Sequence, residues 1–589
     1  MSPMSPTPGP DELDMISPKL VPGRRSGRQR NAPNDWRTAM APPHDSSSSL
    51  TPKQETVSPP LTLTGTPARD NLGSPLYSDD IAGKSRDRAH DDSDDDAATA
   101  DDDEHDELNI IGDDGTQDAH VIDTGYASDP RSYKEAMSRS VAAEWAQAFT
   151  EEMAAHERNS MWELIECPPG VCPVDNRWVL KTKRCADGTI KRLKARLVAR
   201  GFTQRPGIDY FETYAPTAPP PAICTTTALA AALDLHLHSI DISNAFLNGD
   251  IDADIYMCQP EGFVLGGRNM VCKLNKGIYG TKQGARVWEI KLRQILVEEL
   301  GFCAIYSAGS IFVYRNGNDL VLLPFHVDDG TFASSSHELN KTLVARLAQF
   351  FKLRDLGPTE FPLSIAVKQD LVAGTVELSQ CQYMIEILNR FAMSSCASVT
   401  TPMALGLCLS RADSPQTDEE CTGMTNVPHG NAIGALLYLA TSTRPDISFT
   451  VATLCRFIAN PGVKHWNAVK HLLHYLQGTK DARLVYRHDL FDLRNMFTAY
   501  CDADHAGNVD NGCSTGGYVL LIAGAAVSWS LRLQTITALS TTEAEYVAAV
   551  DAGKEVAWMR QLLHEFGFTL SGPSTLAMDC WTGASSTVS

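Results

Sequence analysis

Val321-Leu322-Leu323-Pro324-Phe325-His326-Val327-Asp328-Asp329-Gly330 is the stretch from which the rest of the chain can be read. An apolar run of the kind a buried strand needs stops at Asp-Asp-Gly, which favours a tight hairpin turn, and a second short run, Thr331-Phe332-Ala333, follows. Two carboxylates therefore belong at a hairpin tip. Asp-Gly is common turn chemistry, so the hairpin alone carries no function. Its counterpart lies upstream, in Ser239-Ile240-Asp241-Ile242-Ser243-Asn244-Ala245-Phe246-Leu247-Asn248-Gly249-Asp250. Asp241 ends a mostly apolar segment, residues 229–240, broken by Asp234 and two histidines. A carboxylate at one strand's end and a pair on a neighbouring hairpin can share two divalent cations, as phosphoryl transfer requires.

Composition bounds the possibilities around this pair. The 589 residues suffice for several cores, and the net charge of -21 is unevenly spread. Residues 1–130 carry 26 acids against 11 bases, which leaves the remainder nearly balanced. From Asp91 to Glu107 eleven of seventeen positions are acidic, and the surroundings are rich in Ser, Thr and Pro, so disorder is expected over residues 1–130. The Ser-Pro and Thr-Pro steps there (Ser58, Thr66, Ser74) read as linker or as phosphorylation sites. Fifteen cysteines without a C-x-x-C pair argue for reduced thiols and against a zinc knuckle. No basic leader and no apolar run of spanning length is evident, so no membrane partner and an intracellular location are expected.

Order is expected from about residue 130. Ser132 with Glu135 suggests a capping box, and Ala142, Trp145, Phe149 and Met153 recur at helical spacing, which predicts one amphipathic lead-in helix within residues 131–176. Residues 177–205 hold ten bases and one acid. They read as a hairpin turning at Ala186-Asp187-Gly188, with Arg192, Lys194, Arg196 and Arg200 on one face and Leu193, Ala195, Leu197 and Ala199 on the other. One face is a basic ribbon suited to phosphate.

Asp241 with Phe246 five positions on, followed by a Val-Asp-Asp hairpin, resembles motifs A and C of a reverse transcriptase. AFLNGDIDADIYMCQPEGF (residues 245–263), LNKGIYGTKQGARVW (274–288) and KARLVARGFTQRPGIDYFETYAP (194–216) resemble the copia-type retrotransposon polyprotein, over about residues 162–579. The resemblance implies an α+β right-hand polymerase, with fingers and palm at 177–405 and a helical thumb or connection at 406–490. It implies that Asp241, Asp328 and Asp329 hold two Mg²⁺ ions, and that Lys194 and Arg196 grip the incoming triphosphate. Phe246 would lie under the sugar, and Gln283, near the start of a helix carrying Trp288, Leu292, Ile295 and Leu296, would touch the nucleotide. RNA template, DNA primer and deoxynucleoside triphosphates are the implied partners, with other polyprotein products beside them. Particle-associated, cytoplasmic residence is implied, and the basic patch at residues 24–30 reads as the tract after an integrase or as a nuclear-import signal.

YCDADHAG (500–507) and ALSTTEAEYVAA (538–549) resemble a copia-type RNase H, expected over 491–589. Asp502, Glu545 and Asp579 are its implied metal ligands, with Mg²⁺ again the ion. Glu543, three after Ser540, fits a capping box and is read as occupied by the helix start. The chain ends ten residues after Asp579, so this domain is expected to be truncated and weakly active. In a helix near residues 463–477, Trp466, Val469, Leu473 and Leu476 form an apolar stripe, and Lys464, Asn467, His471 and His474 a face for solvent or duplex. The expected truncation and the altered Pro-rich segment at residues 217–222 keep a second function open, a degenerate product that binds nucleic acid without catalysis; His326 also departs from the family pattern.

Overall fold

The computed structural model describes residues 129–184, 190–267, 269–570, 572–578 and 586–588. The acidic head, the turn at 186–188 and Asp579 lie outside them. Two helices lead in, α1 (Tyr133–Ser138) and α2 (Ala142–Arg158), where one was expected. Ser132 caps α1 by accepting from the Glu135 N–H at 3.2 Å, but the Glu135 carboxylate reaches the Arg131 amide and the chain turns extended at Arg139. Next come β1 (Trp162–Glu166), β2 (Asn176–Arg184) and β3 (Ile190–Ala199). The apolar face of β3 packs as its alternation predicts: Ala195, Leu197 and Ala199 share a core with Trp145 and Phe149 of α2 and with Trp178.

Helix α3 (Pro220–Ala232) begins with prolines in its first turn, where a missing N–H costs nothing. Then follow β4 (His236–Ile242), β5 (Tyr256–Met257), β6 (Met270–Leu274), α4 (Gly284–Gln294), β7 (Cys303–Ala304), β8 (Ile311–Asn316), β9 (Asp319–His326), β10 (Asp329–Ser334), α5 (His337–Leu347) and β11 (Leu353–Pro358). Six of these strands form one antiparallel sheet in the order β11-β4-β10-β9-β8-β7. β4, which carries Asp241, is thereby flanked by the hairpin strand on one side and by β11 on the other.

Strands β12 (Ala366–Asp370), β13 (Thr375–Ser379) and, later, β14 (Leu484–Arg487) make a small sheet. Between them lie α6 (Cys381–Arg390), α7 (Asp418–Met424), α8 (His429–Ser442), α9 (Ser448–Cys455) and α10 (Val463–Gly478). Helices α6, α8, α9 and α10 enclose Met384, Leu436, Leu439, Leu454 and Leu473, so this helical layer draws on residues either side of position 405. The apolar stripe of α10 packs inward as read, and its polar face is partly engaged: Lys464 and Asn467 stay exposed, and His471 and His474 are half-buried. Lys464 pairs with Asp413 at 2.9 Å, His471 meets the Thr401 carbonyl at 3.0 Å and His474 the Ala397 carbonyl. The loop at 397–413 needs partners for its own carbonyls, and the two histidines supply two of them.

The C-terminal part holds β15 (Thr498–Asp504), β16 (Thr515–Ile522), β17 (Ala525–Leu533), α11 (Thr541–Glu565), β18 (Ser574–Met578) and β19 (Ser586–Val588). Its sheet runs β17-β16-β15-β18-β19, with β15 parallel to β18. This part does not keep a core to itself. Helix α3 is buried nearly all round, as a core helix is: its Ala228, Leu229 and Ala230 are fully buried, and the hydroxyls of Thr225, Thr226 and Thr227 donate to carbonyls four residues earlier. One continuous cluster joins it to Leu322 and Ala333 of the six-stranded sheet and to Leu520, Val527, Met559 and Leu562. Among the described residues no helix is long and apolar enough to cross a membrane.

Candidate active site

The hairpin forms, but its turn is displaced from the expected place. Asp329 faces His326 and Gly330 faces Phe325, so the loop is Val327-Asp328 and Asp329-Gly330 opens the return strand. A Cβ on Gly330 would stand 2.8 Å from the Phe325 ring and 3.1 Å from Ile240, so the glycine serves close packing between strands and not the turn. Val327 then takes the left-handed conformation, φ 57°. A β-branched residue there is strained by roughly 1–3 kcal/mol and persists only if its surroundings hold it. The Trp288 indole N–H, from α4, donates to the Val327 carbonyl at 2.7 Å, and the Ile242 N–H donates to the Asp328 carbonyl at 2.9 Å.

These bonds bring the carboxylates together from β4, the hairpin loop and β10. Asp241 stands opposite Asp329 in the β4–β10 ladder, and Asp328 is tied to the next residue of β4. Asp241 and Asp328 are 6% and 3% exposed. On its other side Asp241 faces Arg354 of β11, whose Nε and Nη2 both donate to its Oδ2, at 2.6 and 2.5 Å. Carboxylate oxygens are the donors a Mg²⁺ ion takes. Among the described residues no three His, Cys, Asp or Glu side chains close around one point. That suits an ion bound by one or two carboxylates that completes its shell with water and phosphate oxygens. The residues present therefore fit the ion.

Two of the nucleotide candidates, Phe246 and Arg196, meet on one tyrosine. Phe246, in the short turn Ala245–Asn248 after β4, meets Tyr279 edge to face at 5.0 Å between ring centres. The Arg196 guanidinium lies over the other part of the same ring, 4.3 Å from its centre. Tyr279 is fixed by backbone: its carbonyl accepts from the Ala199 N–H at 2.8 Å, and Gly280 accepts from the Gly201 N–H at 3.1 Å. Gly280 has φ 83° and its missing Cβ leaves room for the Ala199 carbonyl. Lys194 is half-buried on the same side of β3 as Arg196. Gln283 lies apart from this group. It is fully buried, accepts from the Gln204 amide at 3.1 Å and donates to the Asp209 carbonyl at 2.9 Å. Arg205 bonds Asp209 through its side chain and holds that carboxyl below its ordinary range, so the Gln283 bridge ends on an ionised residue.

Of the second set, Asp502 and Glu545 meet. Both accept from the Ala503 N–H, at 2.9 and 3.1 Å. Burial, then the charges of Glu545 and Asp502, push the neighbouring Cys501 thiol up to about 12. Glu543 is engaged as expected: its N–H donates to Ser540 and its carboxylate accepts from Leu539 at 2.7 Å.

Sequence reasoning missed Tyr279, Trp288 and Arg354 as parts of the site. Tyr279 and Trp288 stand in the quoted 274–288 stretch, but their partners come from β3 and the hairpin. For Arg354 there was no signal, since nothing in the sequence pairs β11 with β4.

Residues 159–405 match the family described as reverse transcriptase (RNA-dependent DNA polymerase). The retrovirus-related Pol polyprotein from transposon TNT 1-94 of Nicotiana tabacum is 39% identical over 441 residues, 74% of this chain and 33% of that protein. Its counterpart from transposon RE2 of Arabidopsis thaliana is 35% identical over 77% of this chain and 30% of its own length. The putative transposon Ty5-1 protein of Saccharomyces cerevisiae is 31% identical over 54% of this chain and 100% of its own length. The chain thus spans about a third of the two Pol polyproteins. A foamy viral protease-reverse transcriptase, solved in complex with double-stranded DNA, is 12% identical with a TM-score of 0.39, covering 73% of this chain and 62% of that one. The carboxylate hairpin lies within the matched residues, and the chain belongs to the copia-type retrotransposon Pol polyprotein family and carries its reverse transcriptase domain.

Proposed function

We propose that this chain is an RNA-directed DNA polymerase that extends a DNA primer on an RNA template with deoxynucleoside triphosphates. The observation that carries this reading is the ladder setting Asp241 opposite Asp329 with Asp328 bonded alongside. Asp241 and Asp328 would hold two Mg²⁺ ions, with Asp329 in support. Bound there, such ions would lower the pKa of the primer hydroxyl and neutralise triphosphate charge. Phe246, braced by Tyr279, forms the floor under the sugar and disfavours a 2′-hydroxyl. Arg196 and Lys194 present cations to the phosphates. Gln283 sets the start of α4 against the 204–209 loop, and so acts on the nucleotide through position and not through contact. Asp502 and Glu545, with Asp579 as the third candidate, form a second site for cleaving the RNA strand of a hybrid; cleavage that survives Asp502→Asn assigns it elsewhere.

Primer extension on an RNA template with Mg²⁺ tests the main reading. Activity is expected in the wild type and lost in Asp328→Asn; equal extension by both ends the proposal. The ion pair of Asp241 with Arg354 favours a second reading, nucleic-acid binding without turnover. A chain that shifts primer-template in a gel yet extends nothing selects it.

A further inference from the structure

Asp241 is the middle member of a row across three strands, with Asp329 on one side and Arg354 on the other. Its side chain is 9% exposed, whereas that of Arg354 is 52% exposed. Both guanidinium contacts fall on Oδ2 and neither on Oδ1. Asp241 is buried beside Asp328 and Asp329, where water screens its charge poorly, so an opposite charge held in direct contact is favourable. Arginine supplies one that cannot be lost to deprotonation and that is fixed in direction by its planar fork.

We propose that Arg354 is the built-in counter-ion of the carboxylate set, a positioning residue that competes with the divalent ion for Asp241. It offsets one charge of the carboxylate set while the site is free of metal, and it keeps Oδ2 during turnover, so that Asp241 offers the ion Oδ1 alone. Metal-free stability is thereby bought with metal affinity. This rests on the polymerase reading of the site, and the two can fail separately.

The full-length chain is titrated with Mn²⁺ and the free ion followed by electron paramagnetic resonance, alongside thermal melts with and without Mg²⁺. In Arg354→Gln the repulsion between guanidinium and ion is gone, so the Mn²⁺ Kd is expected to fall about fivefold. The metal-free Tm is expected to drop by about 4 °C, with a larger share recovered on adding Mg²⁺. Arg354→Lys keeps the charge and is expected to stay near the wild type in Kd, which a purely structural role for the residue does not require. Unchanged or weaker Mn²⁺ binding in Arg354→Gln overturns the competition. An unchanged metal-free Tm overturns the counter-ion. If Mn²⁺ binding survives in Asp241→Asn and Asp328→Asn alike, the ion does not sit here and the polymerase reading fails; the metal-free melt of Arg354→Gln still decides the counter-ion.

Discussion

Val327 occupies a backbone conformation that β-branched residues avoid, and the Trp288 indole N–H is the bond that most directly keeps it there. Trp288→Phe retains the ring and removes the donor. It is expected to cost about 1 kcal/mol of stability. Because Asp328 is the next residue, the larger loss should appear in kcat for primer extension, about tenfold, with the nucleotide KM little changed. A rise in KM alone would place the indole's effect in nucleotide binding instead. Gly330 makes the complementary case. An alanine there meets the Phe325 ring, so Gly330→Ala should destabilise by about 1–3 kcal/mol in a urea titration, whereas a glycine needed for neither φ nor space would tolerate it. The local pattern made the hairpin and its two carboxylates legible. It could not separate a turn glycine from a packing glycine, because Asp-Gly is compatible with both.

At the scale of elements, α4 is anchored at both ends of its functional face: Gln283 at its start to the 204–209 loop, Trp288 one turn later to the hairpin. Gln283→Leu removes a buried amide that bonds Gln204 and Asp209 and, at 3.5 Å, Asp252, and these bonds are lost with it. The expected cost is about 1–3 kcal/mol, read by chemical denaturation. The nucleotide KM should rise less than in Arg196→Ala; an equal or larger rise would argue for direct contact between Gln283 and nucleotide. Periodicity had given β3, α4 and the apolar stripe of α10 without difficulty, since each follows from residues close in sequence. The partners of the α10 polar face, Thr401, Ala397 and Asp413, were not legible because they sit on an irregular loop with no pattern to announce it. Arg354 shows the same limit in the sheet, where β11 reaches β4 only after the whole hairpin and α5 have intervened.

The molecule as a whole is held together where the sequence suggested a seam. Glu565, at the end of α11, accepts from the Tyr306 and Ser307 amides and the Ser307 hydroxyl, at 2.7, 3.0 and 2.9 Å. Partial burial pushes its carboxyl up, but the bonds from Gln561, Ser307 and Tyr306 outweigh this and hold it below the ordinary value of 4.5. Its contribution is therefore full above about pH 4.5 and fades as the pH falls further through the lowered value. Melting curves of Glu565→Gln should lose part of the acid sensitivity of the wild type in that window. Leu562→Ala, at a fully buried position of the shared core, should cost about 2–5 kcal/mol. Polymerase and C-terminal sheet should still melt in one transition; two transitions would restore the seam. The shared core also has a consequence for synthesis. Helix α3 leaves the ribosome long before the strands and helix that cover it, residues 498–576, have been made. At about 5–20 residues per second, a helix built for the core waits for tens of seconds with one side bare. Nascent chains of this protein should therefore be clients of the chaperones that shield such surfaces.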